Sequence, residues 1–292
     1  MVSYLAELGK LAFSKMHGIG NDYIYINCFQ ETVTDPEKLS IFMSNVRFGV
    51  GSDGLVLILP SEVADFRMRI FNADGSEAMM CGNATRCVGK YVYEHGMTDK
   101  TEVSLETNSG IKYLTLYVNE ATNKVDAVKV DMGKAILKPA EIPVADDGDR
   151  FIAKPVVVDG VSYDMTCVSM GNPNAVVFLP EIDSLDLEKM GPSFEHHPLF
   201  PNRVNTEFIR VIDDHTLQMR VWERGSGETF ACGTGACAAA VASVLNGYCK
   251  REQEILIHLR GGDLRIIYHN DESVTMIGPA TFIFEGKMEY PV

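Results

Sequence analysis

The sequence predicts an α+β protein of two pseudo-symmetric domains, each a strongly curved antiparallel sheet or barrel wrapped around one central helix. Three observations carry this. First, the chain repeats itself. Glu77-Ala-Met-Met-Cys-Gly82 returns as Glu228-Thr-Phe-Ala-Cys-Gly233, with Cys81 and Cys232 151 residues apart. At the same offset Gly20-Asn21 falls on Gly171-Asn172, Gly54 on Asn205, and Met68-Arg-Ile-Phe71 on Met219-Arg-Val-Trp222. One block alone is weak; several in order imply two similar domains, and the period is far too long for a solenoid. Second, Gly235 to Leu245 is apolar almost all round, the mark of a helix buried on every side. Third, many short strands without alternating βαβ units argue against a doubly wound sheet.

Taken in order, the elements follow from local chemistry. A Gly20-Asn21 turn leads into the strand Tyr23–Ile26. Pro36 suits a helix start and precedes an apolar pattern through Phe42. Gly49 to Gly54 is a loop before the strand Leu55–Leu59, and Phe66 to Phe71 alternates as a strand does. Asn72-Ala-Asp-Gly75 is turn chemistry. A helix is expected from near Cys81, with Ala84, Val88, Tyr91 and Val92 on one face. Val103 to Val118 reads as two strands around Asn108-Ser-Gly110, and Val125 to Met132 as another. Near the ends of the halves, Met132-Gly-Lys-Ala135 resembles Ile277-Gly-Pro-Ala280. The expected domains are residues 1–132 with 280–292, and residues 133–279.

Composition narrows the function. The 292 residues include 26 basic and 40 acidic ones, a formal charge of −14, which argues against a broad phosphate-binding surface and so against a nucleic-acid partner. No run of 18 apolar residues exists, so no membrane span is expected. Met1 to Lys10 does not read as a secretory signal. Seven cysteines, at 28, 81, 87, 167, 232, 237 and 249, are an odd number, and free thiols in a cytoplasmic protein are the expectation.

Two cysteines placed alike in two half-chains suggest two reactive groups facing one another across a domain interface. Cysteine is otherwise often a small buried hydrophobe, and that reading is kept for Cys28, Cys87, Cys167, Cys237 and Cys249. Zinc is disfavoured, because five and four residues separate Cys81 from Cys87 and Cys232 from Cys237. Gly233-Thr-Gly-Ala-Cys-Ala238 fits a dinucleotide fingerprint, but a turn-rich Gly225-Ser-Gly227 and a cysteine precede it instead of a strand. On these residues neither a zinc site nor a dinucleotide site is expected.

Several stretches carry a family resemblance. His17-Gly-Ile-Gly-Asn-Asp22, Phe71-Asn-Ala-Asp-Gly-Ser-Glu77, Cys81-Gly-Asn83, Met170-Gly-Asn-Pro173, Arg203-Val-Asn205 and Glu223-Arg-Gly225 through Ala231-Cys-Gly-Thr-Gly-Ala236 resemble diaminopimelate epimerase, from about Phe13 to near the C-terminus. The resemblance implies a cofactor-independent isomerase that interconverts LL- and meso-diaminopimelate on the route to lysine and peptidoglycan. It also implies two pseudo-symmetric barrels with the site in the cleft between them.

Such chemistry removes the Cα proton and returns one to the opposite face, with fixed dipoles meeting the developing carbanion. Two acid/base groups are needed, one thiol ionised and the other not. Cys81 and Cys232 are expected at helix N-termini, where free amides and the helix dipole lower a thiol's pKa. Amides near Gly82-Asn83 and Gly233-Thr234 are expected to hold the α-carboxylate. Asparagines beside glycine or aspartate commonly just make turns; the resemblance instead assigns Asn21 to the reacting amino group and Asn72, Asn172 and Asn205 to the distal end. It assigns Glu223 to an ammonium and Arg224 to the distal carboxylate, which suits a planar fork; a surface ion pair is the plain alternative.

Two positions depart from the family pattern. Asn174 stands where histidine is usual, and Gly54 where many members carry glutamine. The other functions considered are a racemase of another amino acid on the same fold, a non-catalytic amino-acid-binding protein and a dinucleotide-binding oxidoreductase. Arg224 and the asparagines disfavour a proline-type racemase, and two cysteines disfavour a hydroxyproline dehydratase. The expected partner is a small amino-acid substrate, with neither nucleic acid nor membrane, and the expected assembly is a homodimer.

Overall fold

In the computed structural model residues 8–291 are described, and the chain divides into two compact units. One comprises Met1–Gly18, Asp22–Asp126 and Ala280–Val292; the other comprises Ile19–Asn21 and Ala127–Pro279. The first half runs β1 (Leu8–Gly18), β2 (Asn21–Asn27), α1 (Pro36–Ser44), β3 (Gly54–Leu59), β4 (Phe66–Asn72), β5 (Glu77–Ala78), α2 (Gly82–Glu94), β6 (Glu102–Thr107), β7 (Gly110–Asn119) and β8 (Lys124–Lys134). The second runs β9 (Lys154–Val158), β10 (Val161–Ser169), β11 (Pro173–Phe178), α3 (Leu187–Glu195), β12 (Asn205–Asp213), β13 (Thr216–Glu223), β14 (Gly227–Thr229), α4 (Gly233–Leu245), β15 (Glu254–Leu259), β16 (Gly262–Tyr268), β17 (Ser273–Gly278) and β18 (Thr281–Pro291).

The two helices that open after the cysteines are buried as their patterns require. On α2, Ala84, Val88, Tyr91 and Val92 are all buried, and on α4 every residue from Gly235 to Ser243 is. Helix α1 starts as expected: the Asp35 side chain accepts from Lys38 N at 3.1 Å, and Pro36 takes a first-turn position that needs no donor. The β6–β7 hairpin turns at Asn108-Ser-Gly110, where Gly110 adopts φ +100°.

The sheets are mixed, not purely antiparallel. Among the described residues four neighbouring pairs are parallel: β2 with β3, β4 with β6, β11 with β12, and β13 with β15. Parallel neighbours cannot be joined by a tight turn, and each pair is bridged by a helix: α1, α2, α3 and α4 respectively. A local strand–helix–strand crossover, which the strand-rich sequence did not suggest, therefore places each of these four helices. The antiparallel ladders follow the same repeat. In the first unit β18 pairs with β1, β3 with β4 and β6 with β7; in the second β9 pairs with β10, β12 with β13 and β15 with β16.

Helix α3 is not evident from sequence, because Gly191-Pro192 reads as a break. The fold overrides it. Asp186 caps the first turn through Lys189 N, and Phe194 is buried among Phe208, Val177 and Trp222. The first unit has its own core, in which Ile24, Leu55, Leu57 and Phe71 meet Leu39 and Met43 of α1. No helix among the described residues is long and apolar enough to cross a membrane.

Candidate active site

In the first unit β4 ends at Asn72, whose Nδ2 donates to Ser76 Oγ at 3.0 Å while Gly75 N returns to Asn72 O at 2.9 Å. The Asn72 side chain is thus engaged in its own turn. Glu77 receives Arg69 in a two-point pair, Nε at 2.8 Å and Nη2 at 2.9 Å, and Asn108 Nδ2 adds a third bond. This braces the hairpin from which Cys81 emerges. Cys81 is extended, φ −136° and ψ 120°, and is the N-cap residue of α2, half-buried. Gly82 and Asn83 form the first helical turn and are buried; Asn83 Oδ1 accepts from the fully buried Arg86 at 2.9 Å.

Gly54 has a steric reason in this fold. A Cβ there would lie 2.0 Å from Phe71 O and 2.9 Å from Tyr23 Cε1, so no side chain fits where β3 crosses β4.

The second unit repeats the arrangement with more burial. Arg220 pairs with Glu228 at 2.8 and 3.0 Å, and its Nη1 also donates to the carbonyls of Ile182, Asp183 and Leu185. Arg260 adds a second cation at 3.0 Å from Glu228. Cys232 is the N-cap residue of α4, φ −123° and ψ 108°, and its Sγ accepts from Gly235 N at 3.3 Å, with Thr234 Oγ1 at 3.5 Å. Gly233 is buried behind it and Thr234 half-buried.

Both cysteines therefore stand at helix starts, but for Cys232 the expected lowering of the thiol's pKa does not hold. Burial pushes the Cys232 thiol well above its ordinary value, and the charges of Glu223 and Glu207 push further the same way. The bonds from Thr234 and Gly235 only partly oppose this. Desolvation of a buried anion outweighs one helix terminus. Burial likewise raises Cys28 and Cys87 to about 11, and raises Cys167 and Cys249. None of the seven cysteines is in a disulfide.

The asparagines of the second unit form a chain through Asn174. Its Nδ2 donates to Asn172 O at 2.8 Å, and its Oδ1 accepts from Asn205 Nδ2 at 3.3 Å. Asn205 Oδ1 then accepts from Arg224 N at 3.0 Å. Asn172, Asn205 and Arg224 are thus brought together by the residue that departs from the family pattern. Arg224 is exposed, with Nη1 on Asn202 O at 3.1 Å. Glu223 ends β13, and its Oε1 accepts from Thr229 Oγ1. Asn21 opens β2 after Gly20, which adopts φ +90°, and Ile19–Asn21 group with the second unit.

Sequence reasoning passed over three features. The arginines eight residues before Glu77 and Glu228 were visible at the repeat offset, and their pairing would have explained both glutamates. Buried Glu195 accepts from Trp222 Nε1 at 2.8 Å, Gly225 N at 2.9 Å and Arg203 at 3.1 Å, tying the Arg203 and Glu223–Gly225 stretches together. No periodicity announces that. Glu207, fully buried near Cys232, falls opposite Val56 in the repeat, and that mismatch was the available signal.

Comparison with known proteins fits this arrangement. The family profile described as diaminopimelate epimerase matches residues 13–138 and 166–283. The chain is 58% identical over 280 residues to a diaminopimelate epimerase of Acetivibrio thermocellus, covering 96% of this chain and 99% of that one. It is 55% identical over 287 residues to one from Agathobacter rectalis, covering 96% and 99%. Among solved structures, a hydroxyproline epimerase from Agrobacterium vitis superposes with a TM-score of 0.71 at 15% identity, covering 100% of this chain and 95% of that one, which shows a shared fold. The chain belongs to the diaminopimelate epimerase family.

Proposed function

We propose that this chain epimerises LL- and meso-diaminopimelate through two thiols, Cys81 and Cys232. It is an isomerase of lysine biosynthesis by family. The observation that supports the two-thiol reading is that Cys81 in the first half and Cys232 in the second are each an extended N-cap residue after a braced hairpin, at the start of a buried helix. In one direction the Cα–H bond breaks as a thiolate takes the proton, and the electron pair is held as an enolate-like anion. The other thiol then gives its proton to the opposite face and is left as thiolate. Burial keeps the proton on Cys232, which can then donate it.

The first-turn amides at Gly82-Asn83 and Gly233-Thr234 are the donors for the α-carboxylate, where charge grows. Asn21 and Glu223 serve the amino group. Asn72, Asn172, Asn205 and Arg224 serve the distal end; the Asn174 bridge supports this by holding Asn205 against Arg224 N. A cytoplasmic setting, in keeping with seven unbridged thiols, and a homodimer belong to the same reading.

The test is nuclear magnetic resonance of LL-diaminopimelate in deuterated solvent. The intact protein should exchange the α-proton and form the meso isomer. Folded Cys81→Ala and Cys232→Ala should each lose at least the ~10²–10⁴-fold assigned to a positioned acid or base. A single variant that epimerises at near the parental rate refutes the two-thiol mechanism.

A further inference from the structure

The repeat exposes one buried group that the mechanism above does not use. In the first unit Tyr25 of β2 lies beside Val56 of β3. At the 151-residue offset the second unit places Val176 of β11 beside Glu207 of β12. The acidic group has changed strands, and it has become a carboxyl. Glu207 is 0% exposed, and neither carboxyl oxygen has a hydrogen-bond partner.

Its surroundings point at Cys232. Position 84 in α2 is alanine, and its counterpart in α4 is Gly235. A Cβ built on Gly235 would meet Glu207 Oε1 at 2.6 Å and Cys232 Sγ at 3.2 Å. The Glu207 carboxyl and the Cys232 sulfur therefore both border the space that a methyl on Gly235 would fill. Val56 with Ala84 and Glu207 with Gly235 are alternative fillings of one place in the fold.

The titratable groups facing Glu207 are Cys232 at the start of α4, Glu223 at the end of β13 and Cys167 on β10. No cation is among them. Burial and Glu223 hold the Glu207 proton on, well above the usual carboxylate range. An ionised Glu207 would also oppose any negative charge on Cys232. Two adjacent buried anions do not coexist, so whenever Cys232 is a thiolate Glu207 is a neutral acid with an O–H to give.

We propose that Glu207 is a positioning residue that stays protonated and donates a hydrogen bond to the Cys232 thiolate once that cysteine has given up its proton. With Gly235 N and Thr234 Oγ1 it completes a three-donor cradle for the sulfur. No proton leaves Glu207: its O–H bond stays intact, and the sulfur changes from weak donor to strong acceptor. A neutral buried acid acting as a donor is a known use of pKa displacement. It needs no imidazole, in keeping with the non-titrating Asn174 in this chain.

This inference rests on Cys232 being one of the two thiols, and its test is independent of turnover. In a Cys81→Ala background, the pH dependence of Cys232 alkylation by iodoacetamide, followed on the Cys232 peptide by mass spectrometry, gives that thiol's pKa. The pair Glu207→Val with Gly235→Ala copies the packing of the first half. It should raise the Cys232 pKa by about one unit, the size of a lost bond to the charged form. Glu207→Gln, whose amide still donates, should leave it within about 0.3 unit. If the pair variant does not fold, Glu207→Leu gives the same comparison at similar volume. With Cys81 present, the pair variant should lose about tenfold in kcat with KM within about twofold, and Glu207→Gln should restore most of it. An unchanged Cys232 pKa means that the carboxyl does not act on the sulfur, and a lowered one means that Glu207 is ionised and repels it; either overturns the proposal. Failure of the two-thiol reading shows separately, as an active Cys232→Ala protein.

Discussion

Removing the same arginine from each half should have very different consequences. Arg69 and Arg220 occupy equivalent positions and pair with Glu77 and Glu228 in the same two-point geometry. Arg69 and Glu77 keep 31% and 28% of their side-chain surface, whereas Arg220 and Glu228 keep 13% and 9%. Water screens the first pair, so Arg69→Met should destabilise by about 1 kcal/mol. Removing one partner of a buried pair costs about 3–5 kcal/mol, because the other charge and its neighbours are stranded. Arg220→Met strands the carbonyls of Ile182, Asp183 and Leu185, although Arg260 remains 3.0 Å from Glu228. That second cation argues for the lower end, about 3 kcal/mol. Urea unfolding measures both, with circular dichroism for Arg69→Met and fluorescence for Arg220→Met. Trp222 is the single tryptophan and lies in the second unit, so its emission follows that unit. Equal losses within about 0.5 kcal/mol, or a larger loss for Arg69→Met, would refute the argument that burial sets the strength of these braces.

Three further outcomes are expected. Arg224→Lys keeps a charge but loses the planar fork, and kcat/KM for diaminopimelate should fall by the equivalent of about 2–4 kcal/mol; unchanged kinetics would make Arg224 a surface residue. Asn174→His should stay active and move the pH–rate profile, because a neutral ring can donate to Asn172 O and accept from Asn205, whereas Asn174→Leu strands both groups and should cost about 2–4 kcal/mol of stability in the same urea assay. Lys100 and the Ser104 backbone hold the Asp65 carboxyl down at about 2. A depressed carboxylate stabilises above its unfolded pKa of about 4 and loses that stabilisation as pH falls towards 2, so Asp65→Asn should flatten the acid side of the melting-temperature profile in that window.

What was legible in the sequence was what neighbours along the chain decide. The apolar faces of α2 and α4, the Pro36 start of α1, the Asn108-Ser-Gly110 hairpin and the helix starts at Cys81 and Cys232 all follow from short-range patterns. The repeat then carried each assignment from one half to the other. Tertiary structure decided what depends on partners far away in sequence. Helix α3 forms across Gly191-Pro192 because Phe194 and Trp222 bury together, and parallel pairing arises because four helices cross over between neighbouring strands. Gly54 is glycine because the Phe71 carbonyl already occupies the space of its side chain. The protonation of Cys232 was the least legible of all. A helix start predicts a thiolate, but burial and the carboxylate of Glu223, nine residues upstream, outweigh the dipole. A sequence shows which groups can ionise; only their packing determines how much water and which charges each one meets.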